Sequence, residues 1–144
     1  MNIGITEMAI ADYDEVLYLW QGVEGLGIHL DECDSCDGIA RYLARNSGTC
    51  FVARDGKNLV GVVLCGHDGR RAYLNHLAVA DGYRRRGIGA ALVGRCTSAM
   101  KEIGIAKCNL FVFAANDGAR EFWRKLGWRC YDDLGVKVMT CNIE

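Results

Sequence analysis

The chain of 144 residues contains no proline, and it has no apolar run of about 18 residues. Without proline the turns must be made by other residues, chiefly by the 18 glycines, because glycine adopts backbone angles that other residues avoid. Without a long apolar run we expect no membrane-spanning helix. The start, MNIGITE, lacks a basic stretch followed by an apolar one. No signal peptide is therefore expected, and a cytoplasmic location is predicted.

The chain also lacks an excess of charge of either sign, since its formal net charge is −1 at pH 7. Bulk binding to nucleic acid or to acidic membranes is therefore not expected. One short basic cluster, Arg84-Arg85-Arg86, stands out against this background. It is too short to indicate nucleic-acid binding, and the phosphates of a small ligand explain it better.

The 8 cysteines are too few for a disulfide scaffold, which typically holds more than about 8–10% cysteine in a shorter chain. Several lie in apolar stretches, where free cysteine packs as a small hydrophobic residue. Cys33 and Cys36 have metal-ligand spacing, but a zinc site needs four ligands and a second pair is missing. A zinc site, a redox pair and no role stay open for them. The last is favoured, and no metal is predicted.

No linker, repeat or low-complexity segment interrupts the chain. Because about 100–200 residues usually form one domain, a single domain is predicted over residues 1–144. Apolar residues at helical spacing predict helices over residues 12–23, 35–46 and 87–103, and a fourth ending near 126 with Asn116 or Asp117 as its cap. Strands are predicted over residues 2–8, 49–54, 59–65, 72–80, 107–114, 128–132 and 135–142.

This order of elements predicts an α+β fold. Several strands come first, and a strand–helix–strand unit follows in the second half. The arrangement favours a mixed sheet of about six to seven strands with about four helices, parallel around one crossover. A doubly wound fold would alternate strands and helices throughout, which this chain does not.

The most informative segment joins a predicted strand to a predicted helix through Arg84-x-x-Gly87-x-Gly89. The first amides of a helix have no internal acceptor, and the helix dipole favours negative charge there. The two glycines remove side chains where a phosphate would approach, and the arginines add charge-assisted hydrogen bonds. The pattern predicts a pyrophosphate cradle, with a tight structural turn as the simpler alternative. Leu92 replaces the third glycine of a dinucleotide fingerprint, and a P-loop lysine is absent.

Two motifs in this order resemble those of the GNAT N-acetyltransferase superfamily. The segment RRRGIGA at 84–90 is similar to the family's acyl-CoA-binding motif, and NDGAREFWRKLGW at 116–128 is similar to its second motif. The resemblance covers residues 50–130 by motif and the N-terminal helices only by element type. It implies the GNAT acyl-CoA N-acyltransferase fold, with central strands splayed at the cofactor. It also implies direct transfer of an acetyl group from acetyl-CoA to a primary amine of a small molecule or protein, in a ternary complex.

The resemblance assigns cofactor contacts to both motifs. Backbone groups of a strand would pair with the pantetheine arm, as a peptide adds to a sheet edge. Amides of the following turn would hold the pyrophosphate, and the second motif would line the arm and its thiol end. These residues are Leu77, Ala78 and Val79 on the strand; Arg84, Arg85, Arg86, Gly87, Ile88, Gly89 and Ala90 in the turn; and Asn116, Ala119, Phe122 and Trp123 in the second motif. A small-molecule or peptide amine is the expected partner, and the resemblance allows a homodimer.

The chain departs from the family pattern at positions that move protons. The second motif commonly has a tyrosine as the acid, whereas Trp123 has an indole that donates a hydrogen bond but does not titrate. Phe111 stands where some relatives carry a glutamate. Tyr73 and Asn75 align with residues that face the acceptor in relatives. We therefore expect these two to act in catalysis by holding a water that relays a proton.

His76 is a tempting base, because it is the only imidazole near this site. Strand alternation places it on the opposite face from Asn75 unless a bulge intervenes. A structural role is therefore favoured for His76, and a bulge in this strand would favour the catalytic alternative.

A segment with four carboxylates and one histidine precedes and begins the second predicted helix: His29, Asp31, Glu32, Asp34 and Asp37. In the fold that the resemblance implies, residues 24–38 lie over the acceptor site. The carboxylates there would attract a cationic acceptor such as a polyamine. An ordinary solvated helix start is the favoured alternative, because carboxylates also suit the dipole of a helix start.

Two functions of other classes stay open. A catalytically weak acyl-CoA-binding module or regulator would explain why the usual tyrosine and glutamate are missing. An interaction protein in which the glycine turn is purely structural is the weakest alternative.

Overall fold

A computed structural model describes residues 2–130, 135–136 and 138–143. The chain divides into two compact units, Met1–Phe111 and Val112–Glu144. The single domain predicted over residues 1–144 stays a prediction.

The first unit contains five strands and three α-helices among its described residues. The strands are β1 (Ile3–Glu7), β2 (Phe51–Asp55), β3 (Asn58–His67), β4 (Ala72–Val79) and β5 (Cys108–Asn109). The helices are α1 (Tyr13–Gln21), α2 (Cys36–Arg45) and α3 (Ile88–Ile103), and a 3₁₀ turn, Ile10–Asp12, precedes α1. In the second unit, α4 spans Asp117–Lys125.

The five strands form one mixed sheet in the order β1-β2-β3-β4-β5. The first four pair antiparallel, and β5 pairs parallel to β4. Helix α3 lies between β4 and β5 in the chain, so it forms the crossover that parallel strands require. The α+β class and the mixed sheet are therefore confirmed.

Neighbouring residues of β3 face different helices. Val62 belongs to the buried cluster that Val16 and Trp20 of α1 share with the sheet. Gly61 points the other way, because successive side chains of a strand alternate. A Cβ built on Gly61 would lie 3.0 Å from Cδ1 of Leu92 on α3. Glycine at this position therefore lets α3 pack closely on β3, which places the start of α3 beside β4.

The sheet is smaller than the six to seven strands predicted. The strand predicted over 107–114 is reduced to Cys108–Asn109, and its parallel pairing covers only Ala72 with Cys108 and Tyr73 with Asn109. The register of β4 against β3 shifts a few residues further on, between Asn75 and Ala78. The predicted strands 128–132 and 135–142 fall partly outside the described residues, and their described parts contain no strand.

Apolar residues near the C-terminus are exposed in the segment where the pattern of apolar residues predicted the last strand. Val138 and Met139 are 69% and 93% exposed, although both belong to the segment predicted as the last strand. Alternation predicts a strand only where a neighbouring strand pairs with it. Within the described residues no such partner is present for this segment.

The helices lie where their periodicity predicts them, and local capping explains their ends. The Ser35 hydroxyl accepts from the Gly38 amide at 3.0 Å at the start of α2. Asp12 occupies the N-cap position of α1, but its carboxylate binds the Ala9 amide and Arg54 instead of a helix amide. The Asp12 side chain is diverted by the 3₁₀ turn that precedes α1.

The described part of the chain has no helix that combines the length and apolarity of a membrane span.

Candidate active site

Helix α3 begins with an open N-terminus directly after the glycine-containing turn. Gly87 is its N-cap, with a left-handed φ of +82°. Glycine has no side chain with which to cap the helix, and the amide of Ala91 donates to the Gly87 carbonyl at 3.0 Å as the first turn closes. Amides that precede this bond have no acceptor within the helix, and they lie at the positive end of its dipole. This helix start can therefore bind an anion.

A second left-handed residue lies two positions before Gly87. Arg85 has a φ of +61°, which for a non-glycine residue costs about 1–3 kcal/mol. A chain that alternates right- and left-handed conformations curls its amides towards one concavity that binds anions. The strained backbone thus coincides with the predicted pyrophosphate cradle.

Side chains fix this turn to the sheet. The Nε atom of Arg84 donates to the Val79 carbonyl at the end of β4, at 3.2 Å. The Tyr83 hydroxyl donates to the carboxylate of Asp55 on β2 at 2.7 Å, which holds the pKa of Asp55 below its usual value. The Arg86 guanidinium lies over the Tyr83 ring, 5.5 Å from its centre. The turn is therefore anchored to both β2 and β4.

Among the described residues, no strand pairs with the outer backbone edge of β4 next to this turn, and this stretch is called the unpaired edge of β4. Its pairing with β5 ends at Tyr73. On the other side, the Ala80 amide donates to the Val60 carbonyl at 2.8 Å. Because backbone groups of an antiparallel strand alternate between its two edges, those of Leu77 and Val79 face away from β3. Another extended chain could pair with them there.

A β-bulge interrupts β4 at His76. Asn75 pairs with Leu64 and Ala78 pairs with Val62, so two residues of β4 lie opposite one residue of β3. The φ of His76 is +50°, which is unusual for a residue other than glycine. The extra residue cancels the normal alternation, and both Asn75 and His76 line the same cavity. The bulge that would favour the catalytic alternative for His76 is therefore present, and the alternation of a regular strand does not apply here.

This cavity has a volume of about 280 Å³ and lies between β4, β3, α2 and the segment before α2. The buried Leu64 and Ile39 form part of its wall. Its polar lining residues are His29, Asp34, Arg41, Tyr42, Asn75 and His76. The lining offers an amide, two imidazoles, a carboxylate and a guanidinium to a small polar molecule.

Asp34 is the most tightly held polar residue of the cavity wall. It is only 4% exposed. Its Oδ1 lies 3.0 Å from Nε2 of His76, and its Oδ2 accepts from the His29 amide at 2.8 Å. The Tyr13 hydroxyl donates to the Asp34 carbonyl at 2.6 Å. Two groups thus bond the Asp34 carboxylate, and a third bonds its backbone carbonyl.

Trp20 of α1 supports His76 from the other side. Its Nε1 donates to the His76 carbonyl at 3.3 Å. The two rings pack edge to face, with centres 5.1 Å apart. Trp20 is almost fully buried, so it holds both the backbone and the ring of His76 in place. The apolar spacing along α1 places Trp20 on the core face, but that spacing carries no sign of this contact.

Tyr73 and Asn75 were predicted to act together, and the structure gives them different surroundings. Asn75 lines the cavity. Tyr73 is 38% exposed and packs against Phe111, with ring centres 6.4 Å apart. It does not line the described cavity, although strand alternation places it on the same face of β4 as Asn75. Asn75 therefore has the closer connection to the cavity.

Tyr42 lines the cavity but is not among the site residues predicted from the sequence. Its hydroxyl is buried and has no hydrogen-bond partner among the described residues. Burial raises the pKa of Tyr42 far above its usual value, and the Asn75 amide nearby opposes that rise. Arg41 was not anticipated either, because exposed residues of a helix carry no periodic signal.

Only one carboxylate of the acidic segment lines the cavity. Asp34 is buried there, whereas Asp31, Glu32 and Asp37 are exposed. The Asp34 carboxylate is already bonded on both oxygens. The cavity is therefore lined as an ordinary polar pocket is, and among its described lining residues it lacks the several carboxylates that would attract a polycation.

A family model described as acetyltransferase (GNAT) family matches residues 15–128. The chain belongs to the GNAT acetyltransferase family. It is 32% identical over 124 residues to an acetyltransferase of Sodalis glossinidius, a match that covers 85% of this chain and 84% of the relative. It is 31% identical to an acetyltransferase of Pectobacterium atrosepticum, covering 89% and 90%.

Solved structures share this GNAT fold at lower identity. A GNAT acetyltransferase of Staphylococcus aureus superposes with a TM-score of 0.78 at 22% identity, covering 89% of this chain and 85% of the other. The PaiA N-acetyltransferase of Thermoplasma acidophilum, in complex with coenzyme A, gives 0.77 at 20% identity, covering 88% and 89%. At this identity these likenesses establish the fold.

The second GNAT motif lies in the second unit and forms helix α4. The Asn116 side chain accepts from the Ala119 amide at 3.1 Å, which confirms Asn116 as the N-cap. The ring of Trp123 packs against those of Phe122 and Trp128, with centres 5.0 and 4.9 Å away. After α4, Gly127 adopts a φ of +91°, and the Trp128 amide donates to the Trp123 carbonyl, as in a Schellman ending. Trp123 is thus fixed within its own unit.

All eight cysteines of this GNAT chain are free. Cys33 and Cys36 are exposed, and burial together with the charge of Asp34 raises the pKa of Cys33. Within the described residues no group of three or more His, Cys, Asp or Glu side chains could hold a metal ion.

Proposed function

We propose that the protein is an acetyl-CoA-dependent N-acetyltransferase that acetylates a primary amine of a small molecule or protein. The amine attacks directly in a ternary complex. The observation that carries the proposal is the uncapped start of α3 after Gly87, next to the unpaired edge of β4. One surface thus combines an anion site with a strand edge.

The chain's groups fit coenzyme A in two places. The pyrophosphate would lie on the backbone amides of residues 85–90, with charge from the arginines at 84–86. The pantetheine arm would add to the free edge of β4 through the backbone of Leu77 and Val79. Ala78 would belong to the same contact stretch, although its own backbone groups are paired with Val62 of β3. When bound, the acetyl thioester supplies an activated acyl group.

The family resemblance also assigns donor contacts to residues of the second motif. In this proposal the Asn116 amide bonds the pantetheine arm, and Ala119, Phe122 and Trp123 line its thiol end. The family resemblance supports this role, and the stacking of Trp123 on its neighbours gives the lining a fixed shape.

The acceptor would bind in the cavity beside Asn75, with its nitrogen directed at the bulge in β4. An amine with a pKa of about 10.4 must lose a proton before it attacks, which costs about 4–5 kcal/mol at pH 7. Tyr73 and Asn75 would hold a water that relays a proton from the amine. The Leu77 amide, just after the bulge, would polarise the thioester oxygen as that oxygen gains charge.

A second candidate function is an acyl-CoA-binding module with little turnover. Trp123 favours it, because an indole cannot protonate a leaving thiolate. We favour the enzyme, since a thiol of pKa about 8.5 can leave without an acid.

An acetyl-CoA turnover screen separates the two functions. The purified protein is incubated with acetyl-CoA and amino acids, polyamines, aminoglycosides or peptides, and both free CoA and the acetylated amine are measured. The enzyme forms both products in equal amounts with at least one class. CoA-dependent thermal stabilisation without product from any class would favour the module. A structural turn would show no CoA-dependent stabilisation.

We further propose a cytoplasmic location. Free thiols persist in reducing compartments, and all eight cysteines of this chain are free. Cell fractionation tests this location. The homodimer that the resemblance allows is tested by analytical ultracentrifugation.

A further inference from the structure

The proton relay through Tyr73 and Asn75 needs an acceptor at its end. Neither a phenol nor an amide takes up a proton at neutral pH. We propose that His76 is the catalytic base of the acetyl transfer, and that Asp34 is the positioning residue that orients it. This inference rests on the proposed N-acetyltransferase function.

The bulge in β4 is the first observation that carries this assignment. A regular strand would have directed His76 away from Asn75. The extra residue and the left-handed φ of +50° bring the His76 ring to the cavity instead. Strained backbone of this kind costs about 1–3 kcal/mol and persists where the surroundings fix it. Trp20 and Asp34 supply that support through the His76 carbonyl and ring.

The hydrogen bond to Asp34 determines which ring nitrogen of His76 is basic. An ionised carboxylate only accepts hydrogen bonds, so the proton of the neutral imidazole sits on Nε2, 3.0 Å from Oδ1. The lone pair is then on Nδ1, which has no hydrogen-bond partner among the described residues and would take the proton. Asp34 keeps this tautomer because Oδ2 is held by the His29 amide and its carbonyl by Tyr13.

The groups around His76 suit a base that becomes charged during the reaction. The titratable or charged residues that line the same cavity are His29, Cys33 and Asp34 from the segment before α2, and Arg41 and Tyr42 from α2. From α1, Tyr13 reaches Asp34 and Trp20 contacts the ring. Asp34 is the only carboxylate among the described lining residues, and it is in direct contact with the imidazole. It therefore stabilises the imidazolium as that forms.

The acceptor ammonium first releases one proton to solvent, because only the neutral amine attacks. The amine nitrogen then forms a bond to the carbonyl carbon of the acetyl thioester, and the relay water passes a second proton of that nitrogen to Nδ1 of His76. The carbon–sulfur bond then breaks, and its electron pair leaves with the CoA sulfur. The imidazolium returns the proton to the thiolate, directly or through solvent. The products are the acetamide and CoA thiol, and His76 regains its neutral form.

The test compares wild type with His76→Gln, whose amide can keep the bond to Asp34. His76→Asn serves as a second variant, because asparagine tolerates left-handed backbone better. His67→Gln is the matched control, since His67 lies at the end of β3 outside the described cavity lining. Steady-state rates with the best acceptor of the turnover screen are measured between about pH 6 and 9, the range around histidine ionisation.

We expect both His76 variants to lower kcat by about 10²–10⁴-fold, the usual contribution of a general base. Wild-type kcat should fall as pH is lowered, because an imidazolium cannot accept a proton, and that dependence should be lost in the variants. The KM for acetyl-CoA and the CoA-dependent rise in melting temperature should stay as in wild type. His67→Gln should retain the wild-type kcat and pH profile.

Asp34→Asn tests the positioning role. It keeps an oxygen for the Nε2 proton but loses the charge, so kcat should fall at least tenfold with an unchanged KM for acetyl-CoA. A lower melting temperature with an unchanged kcat would show that Asp34 is purely structural and would overturn its part of the proposal.

The outcomes separate this inference from the function on which it rests. A wild-type protein that acetylates no acceptor refutes both the enzyme and its base. A wild-type protein that is active, with His76 variants that keep its kcat and pH profile, refutes the base alone. If the His76 variants lose CoA binding as well as activity, the result would also count against the assignment, because it would indicate that the whole site is disrupted.

Discussion

Gly87 and Gly104 cap opposite ends of α3 and provide a matched pair of substitutions. Their φ angles are +82° and +92°, and a Cβ built on either one meets no atom within 4 Å. Gly87→Ala and Gly104→Ala therefore impose the same kind of backbone strain on the same helix without a steric clash. They differ in one respect, since only Gly87 lies in the proposed pyrophosphate cradle.

The expected loss of stability is similar for the two variants. A left-handed alanine costs about 1–2 kcal/mol. The reduced freedom of the unfolded chain offsets about 0.4–1 kcal/mol of that cost. The net destabilisation should be about 1 kcal/mol, which lowers the melting temperature by about 3–4 °C for a chain of this size.

Coenzyme A binding should distinguish the two variants. The space beside Gly87 is open in the protein alone, but the added methyl group would stand where the pyrophosphate approaches the amides. Losing one charge-assisted hydrogen bond costs about 1.5–3 kcal/mol, so Gly87→Ala should weaken CoA binding by about 10–100-fold. Isothermal titration calorimetry measures this affinity, and Gly104→Ala should retain the wild-type value. Equal CoA affinities for the two variants would refute the assignment of Gly87 to the cradle.

Three further predictions concern the walls of the site and the core. Gly38→Ala should destabilise the fold by more than about 2 kcal/mol in thermal melts, because its Cβ would lie 2.4 Å from the Cys33 carbonyl oxygen. Tyr42→Phe should leave the free energy of urea unfolding unchanged or raise it slightly, since the hydroxyl it removes is buried without a partner among the described residues. Burial raises the pKa of the Cys50 thiol to about 11, above its unfolded value of 9.0. The contribution of this thiol to the free energy of unfolding is therefore fully present below about pH 9 and should be lost as the pH rises towards 11. A Cys50→Ala variant should show a weaker alkaline loss in urea unfolding series.

The helices and the first four strands could be predicted because their signals are local. Apolar spacing and caps such as Ser35 and Asn116 act within a few residues. The last three predicted strands depended on partners that a local pattern does not specify. Phe111 and Phe113 show the result, since they are 70% and 61% exposed in the segment where a strand was predicted.

The candidate site likewise has one part that local sequence signals predict and one part that depends on distant residues. The glycine turn and its arginines were visible in the sequence because an anion site at a helix start uses consecutive residues. The contact of His76 with Asp34 joins residues 42 positions apart, and it depends on a bulge that no glycine marks. Sequence reasoning named the bulge as the condition under which His76 would matter, but it could not determine whether the condition was met.

One irregularity in β4 accounts for both halves of the proposed site. The side-chain period of a strand is two, so one extra residue brings Asn75 and His76 to the same cavity. A bulge also bends and twists its strand, and β5 pairs with β4 only as far as Tyr73. The unpaired edge begins there, where Leu77 and Val79 are proposed to meet the pantetheine arm. Removing the bulge by deleting one residue should therefore abolish acceptor turnover and CoA binding together, whereas His76→Gln should remove turnover alone.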